Sequence, residues 1–218
     1  MAARYHLILA SRSPRRRELL KYVQLPFSVV PARIAEEAPA HCPYLKAQQI
    51  AELKARAVGE LFQQKNSSKL AKRFTKSVLQ PLIVAADTVV VLGRKEILGI
   101  PASEAEAKKM LKKLSGKTHQ VITGMCLYLP KQNKLWRGGE ISRVTFNKIG
   151  DDLLNPYLAT KESLDKAGAY GIQGAALTFI ARVQGSYSNV VGFPLDRFIT
   201  ELKKFLHLPA TNWQRCFK

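Results

Sequence analysis

The chain has 218 residues, 46% hydrophobic and 23% charged, an ordinary globular composition that excludes a disordered or collagen-like chain. Its formal net charge of +19 is the unusual bulk property, and it attracts polyanions: nucleic acid, an anionic membrane surface or phosphorylated small molecules. No stretch approaches the roughly 18 apolar residues of a membrane span. The three cysteines, Cys42, Cys126 and Cys216, form no Cys-x-x-Cys pair, so free thiols in a reducing, cytoplasmic setting are expected over disulfides or a zinc site.

Residues 6–10 predict a short buried strand that stops at Ser11-Arg12-Ser13-Pro14, too short and too basic in its sequel for a secretory signal. Serine ahead of a first-turn proline predicts a helix over 14–22. Residues 27–30 read as a second strand. Residues 43–64 read as a helix, with Leu45, Ile50, Leu53, Val58 and Leu61 at roughly helical spacing. The basic stretch 65–80 reads as an insertion or loop. Residues 82–92 form a β-rich apolar run interrupted only by Asp87-Thr88, with a turn at Gly93-Arg94-Lys95 and a return over 96–98. Ser103 and Glu106 form a capping box for a helix reaching Leu114. Residues 118–129 and 135–146 read as a hairpin, 151–160 as a helix and 177–183 as a strand. Residues 190–206 start extended around Pro194 and become helical. The alternation predicts an α/β fold, a mixed twisted sheet flanked by helices. One domain over 5–207 is expected, with 208–218 as a tail.

Three segments carry possible chemistry. Ser11 to Arg17 sits at a strand-to-helix junction, where unpaired backbone N–H groups, serine hydroxyls and guanidinium forks make a phosphate cradle. The same pattern also suits a solvent-facing basic helix start. Asp87 lies in a run too apolar to hold a lone carboxylate without a partner or a metal, unless the sheet ends there and Asp87 caps a turn. Glu36 and Glu37 are further oxygen donors for Mg²⁺, or else surface charge. The glycine-rich segment 165–174 suits backbone in close approach to a ligand, or a tight structural turn. Ser115-Gly116-Lys117-Thr118 is not a Walker loop, because Leu111 stands where its first glycine belongs. His119 reads as structural or substrate-adjacent, and no covalent nucleophile is signalled.

Taken in order, five motifs resemble the Maf family of nucleotide pyrophosphatases over nearly the whole chain, from Leu9 to Leu195. They are Ala10-Ser11-Arg12-Ser13-Pro14-Arg15-Arg16, Ala86-Asp87-Thr88-Val89-Val90, Leu114-Ser115-Gly116-Lys117-Thr118-His119, the segment from Asp165 to Gly174, and Gly185 to Gly192. The form with Ser-Pro-Arg-Arg and Ile-Gln-Gly is similar to the dTTP/UTP-type subgroup. The resemblance implies an elongated, two-lobed Maf/ITPase-like fold with a central cleft, a divalent cation (Mg²⁺ or Mn²⁺), pyrophosphate release and often a homodimer. It assigns Asp87 as proton acceptor, with Glu36 on the metal side and Lys54 facing phosphate. Ser11, Ser13 and Arg15 fall to phosphate binding, and Arg16, Thr88 and Gln173 to substrate specificity. In the mechanism expected here, Arg15, Lys54 and Lys166 offset charge on the leaving pyrophosphate. The chain departs from the family at Gly99-Ile100-Pro101, where a phosphate-binding lysine is usual, with Lys95 or Lys117 as stand-ins. The competing expectation is a nucleic-acid-binding or regulatory protein with a weakened site, carried by the +19 charge and Ile100.

Overall fold

A computed structural model describes residues 5–63 and 79–217. In chain order the elements are β1 (Tyr5–Leu9), α1 (Pro14–Lys21), β2 (Phe27–Val29), α2 (Pro43–Gln63), β3 (Gln80–Leu92), β4 (Glu96–Leu98), α3 (Glu104–Leu114), β5 (Thr118–Leu129), β6 (Lys134–Phe146), α4 (Asp151–Ala159), β7 (Ile180–Gln184), α5 (Tyr187–Val191) and α6 (Leu195–Leu206). The expected mixed sheet is present, seven strands in the order β2-β1-β3-β5-β6-β7, with β4 paired to β3. β1 runs parallel to β2 and β3, and the other pairings are antiparallel.

Two segments depart from expectation. Residues 177–179 belong to a 3₁₀ stretch, Ala175–Phe179, and the strand starts only at Ile180. That turn lets Phe179 bury its ring against Tyr157 and Phe146, a tertiary demand that local alternation does not reveal. Tyr187–Val191 is a short helix, capped by the Ser186 side chain on Asn189 N and ended at Gly192 with φ 120. Residues 79 and 80 apart, the segment expected as a basic insertion lies outside the described residues. The segment read as a tail packs Trp213 and Phe217 into the core, and Phe217 bridges to Tyr5.

The two-residue period of β3 divides the interior. Leu82, Val84 and Ala86 face α1 and α6, in a core shared with Leu20, Met125, Phe193 and Phe198. Ile83 and Ala85 face α2 and pack with Ala51, Ala55 and Val58. Farther along, Val90 joins a separate core with Leu111, Val121, Phe146 and Tyr157. The first and third of these clusters sit toward opposite ends of the same long strands, which makes two lobes. Between them β3 has an open edge: β1 pairs with it only up to Val84, β4 only from Val90, and β5 holds the other edge from Ile83 to Leu92. The chain therefore leaves a gap beside residues 85–89, and the cleft lies there. No helix among the described residues is long and apolar enough to cross a membrane.

Candidate active site

Alternation along β3 points Asp87 to the α2 face and Thr88 to the opposite one. Asp87 is thus mid-strand rather than at the sheet end that the sequence suggested as one alternative. Its buried carboxylate is met by Lys54 of α2, whose Nζ lies 2.8 Å from Oδ1. The same ammonium lies 3.0 Å from Glu36 Oε2, so one buried lysine bridges two carboxylates. This requires α2 to lie very close to the sheet. Gly124 is the β5 residue opposite Asp87, and Gly139 of β6 is opposite Gly124. A Cβ at Gly124 would sit 2.3 Å from the Ala47 carbonyl carbon. Ala47, seven residues before Lys54, shares its face of α2, so the missing side chain sets the depth at which Lys54 meets Asp87.

On the other face, Arg16 of α1 donates through Nη2 to Thr88 Oγ1 (2.9 Å), through Nε to the Gly192 carbonyl (2.9 Å) and through Nη1 to Ser11 Oγ (3.4 Å). Three of its five N–H groups are committed, leaving two without a protein partner among the described residues. Desolvation lowers the Arg16 pKa, against the opposing pull of Asp87 and Glu36. The Thr88 hydroxyl is engaged by Arg16, by Thr123 Oγ1 at 3.0 Å and by the Gly192 carbonyl at 3.3 Å. Ser13 caps α1 through Arg16 N, and Ser11 Oγ accepts from Ser13 N. Hydroxyls and main chain at this junction thus order one another.

The third wall is the segment after α4. Arg15 Nη1 donates to Asp165 Oδ2 at 2.8 Å, and Lys166 Nζ to Asp165 Oδ1 at 2.6 Å. Gly168 has φ 70, and a Cβ there would lie 2.9 Å from Val90, which explains the glycine. Ala169, with φ 62, is held by Tyr157 Oη on its carbonyl at 3.2 Å. Tyr170 in turn is pinned by His119 Nε2 at 2.8 Å. His119 is therefore beneath the segment and buried, and burial lowers its pKa to about 4.

All ten residues singled out from the sequence, Ser11, Ser13, Arg15, Arg16, Glu36, Lys54, Asp87, Thr88, Lys166 and Gln173, line one cleft of about 580 Å³. Gln173 is exposed and, among the described residues, its amide has no protein hydrogen bond. Glu37, Lys95 and Lys117 are exposed and do not line the cleft, so neither lysine stands in for the missing one; Ile100, 63% exposed, does line it. Sequence reasoning missed Lys46 and did not single out Asp165. Lys46, Ile50 and Lys54 recur every four residues along α2, a stripe that would have marked Lys46 as cleft-facing. Among the described residues no group of three His, Cys, Asp or Glu side chains is placed to hold a metal by itself. Three carboxylates against six cations suit a ligand that brings its own anionic oxygens.

The family model described as Maf-like protein matches residues 6–205. The chain is 44% identical over 199 residues to a dTTP/UTP pyrophosphatase of Pyrococcus abyssi, covering 91% of this chain and 95% of that protein. It is 40% identical over 200 residues to a dTTP/UTP pyrophosphatase of Bacillus cereus, covering 91% and 89%. A nucleoside-triphosphatase / dITP/XTP pyrophosphatase structure from Mycobacterium abscessus gives a TM-score of 0.36 at 14% identity over 66% of this chain and 75% of that one, too slight a likeness to bear on function.

Proposed function

This chain belongs to the Maf family, and on that footing we propose that it is a nucleoside triphosphate pyrophosphatase that converts dTTP, UTP or a modified pyrimidine triphosphate to the monophosphate and pyrophosphate. The observation that carries this reading is the meeting, in one cleft, of cationic donors from α1, α2 and the 165–174 segment around the buried Asp87 carboxylate.

The donor set fits a small hard cation, Mg²⁺ or Mn²⁺. Glu36 and Asp87 each give one oxygen to Lys54, and the other oxygen has no protein hydrogen bond among the described residues. Mg²⁺ needs only one or two carboxylates beside phosphate oxygens and waters. When bound, such a cation neutralises triphosphate charge and polarises the α-phosphate.

The protein groups do the rest. Asp87 accepts the proton of the water that attacks the α-phosphorus, and the bond from that phosphorus to the α,β-bridging oxygen breaks. Lys54 holds Asp87 in place and faces the phosphates. Arg15 and Lys166 offset charge on the departing pyrophosphate, while Ser11, Ser13 and the start of α1 direct hydroxyl and N–H groups at phosphate oxygens. Gln173 reads the base: an amide can accept from N3–H of uracil or thymine and donate to O4. Thr88, with its hydroxyl engaged by protein, acts by holding Arg16 toward the substrate rather than by reading the base. The unpaired thiols and the nucleotide substrate together support a cytoplasmic location and a role in nucleotide-pool housekeeping.

The test is a panel of nucleoside triphosphates with Mg²⁺, measuring pyrophosphate and orthophosphate separately. The proposal expects pyrophosphate from pyrimidine substrates and little orthophosphate. No release from any nucleotide, together with salt-sensitive binding to RNA or DNA, would favour instead the nucleic-acid-binding role suggested by the +19 charge.

A further inference from the structure

Arg15 and Lys166, read above as partners of the leaving pyrophosphate, are both bound to the same side chain. Arg15 Nη1 donates to Asp165 Oδ2 at 2.8 Å and Arg15 Nη2 to the Asp165 main-chain carbonyl at 3.1 Å, a two-point grip between residues 150 apart in sequence. Lys166 Nζ takes the other carboxylate oxygen at 2.6 Å and also donates to the Glu162 carbonyl. Asp165 therefore joins α1, on one side of the cleft, to the glycine-rich segment on the other. Exposure is unequal: the Asp165 side chain is 59% accessible, against 26% for Arg15 and 15% for Lys166. Lys166 keeps a second anchor on the Glu162 carbonyl and Arg15 keeps the Asp165 main-chain carbonyl, while the carboxylate itself is at the water interface, so a rotation of the aspartate side chain breaks both carboxylate contacts and leaves each cation one main-chain tether.

A carboxylate oxygen and a phosphate oxygen offer a guanidinium or an ammonium the same kind of acceptor. The cleft is lined by six cations (Arg12, Arg15, Arg16, Lys46, Lys54, Lys166) and three carboxylates (Glu36, Asp87, Asp165). Glu36 and Asp87 converge on Lys54, and Asp165 alone is set between two cations assigned to the leaving group. We propose that Asp165 is an internal counter-ion for the pyrophosphate subsite: it competes with substrate and product phosphate for Arg15 and Lys166, and by reclaiming them it speeds release of pyrophosphate. No bond is made or broken in this step; two cations exchange one anionic partner for another. Partial burial alone would raise the Asp165 carboxyl pKa, but hydrogen bonds from Lys166 and Arg15 hold it below the usual carboxylate range, so the competitor remains anionic at neutral pH.

The inference rests on the triphosphate-site reading, and calorimetric titration with inorganic pyrophosphate and Mg²⁺ separates the two. The proteins compared are wild type, Asp165→Asn, Asp165→Ala and Asp165→Glu, with Arg15→Ala as control. Removing one exposed negative charge about 5 Å from the bound anion corresponds to roughly threefold to tenfold in affinity at high dielectric. Asp165→Asn and Asp165→Ala should therefore bind pyrophosphate that much more tightly. In turnover they should show a lower KM together with a lower kcat, as release slows, and Asp165→Glu should restore wild-type values. Unchanged or weaker pyrophosphate binding by both neutral variants would overturn the inference, because Asp165 would then serve only to hold Arg15 in place. If wild type binds pyrophosphate no better than Arg15→Ala does, the site reading itself fails and the inference fails with it.

Discussion

Replacing His119 by Phe should remove most of an acid-induced loss of stability that the unmodified protein carries. The imidazole is 1% exposed, edge-on to Phe146 and Tyr170, with Nε2 bonded to Tyr170 Oη and Nδ1 without a partner among the described residues. A proton added to Nδ1 would have no acceptor, and burial brings the folded-state pKa from 6.5 down to about 4. Because the folded value lies below the unfolded one, the unfolded chain binds the proton first. The neutral imidazole's contribution is complete above about pH 6.5, falls as pH drops below that, and is gone by about pH 4. With one pKa unit equal to 1.36 kcal/mol, the loss at pH 4.5 is about 2.5 kcal/mol. The Phe variant leaves Tyr170 Oη unpaired, which costs about 1–2 kcal/mol at any pH. It should thus be the less stable protein at pH 7.5 and the more stable at pH 4.5, with the curves crossing at about pH 5 to 6 on these figures. Urea denaturation of both proteins at half-unit intervals measures this, and the comparison subtracts the other titrating groups. Parallel loss of stability in the two proteins would refute the assignment.

Three further outcomes follow from the site. Gly124→Ala forces a Cβ into the Ala47–Gln48 backbone; α2 must lift, with a destabilisation of about 3 kcal/mol by thermal unfolding and a matching loss of pyrophosphate release as Lys54 leaves Asp87. Lys54→Met strips two carboxylates of their shared ammonium and, as the loss of one partner from a buried pair, should cost about 3 kcal/mol or more in denaturant melts. Ile100→Lys adds a cation at an exposed cleft position and should lower KM for the triphosphate about threefold to tenfold in steady-state kinetics, with thermal stability unchanged.

The architecture was largely legible because its signals are local. The apolar run of β3, the Ser13 and Ser103 caps and the α2 periodicity are each set by residues within a few positions of one another. At the Ser103 cap the reciprocal half differs: the Glu106 carboxylate accepts from Ala102 N rather than from the Ser103 amide. What the sequence hid was contact at a distance. Asp87 was visible as a lone carboxylate, but Lys54 as its partner depends on α2 crossing the sheet over Gly124, some seventy residues beyond Lys54 in the chain. Thr88 was readable as a polar residue beside Asp87. That its hydroxyl is occupied by Arg16 and Thr123 follows only from strand register and from α1 docking across β3. Asp165 looked like one charge in a glycine-rich turn until Arg15 was found on it.

Asp87→Asn tests most directly whether Asp87 acts on the water that cuts the α,β-phosphoanhydride. The amide keeps an acceptor for Lys54 but not the proton-accepting carboxylate. Single-turnover pyrophosphate release from UTP or dTTP with saturating Mg²⁺ should fall at least 100-fold, with thermal unfolding near that of wild type and nucleotide still bound through Glu36 and the cationic donors. Release within a few-fold of wild type from a folded, nucleotide-binding Asp87→Asn protein would contradict that role.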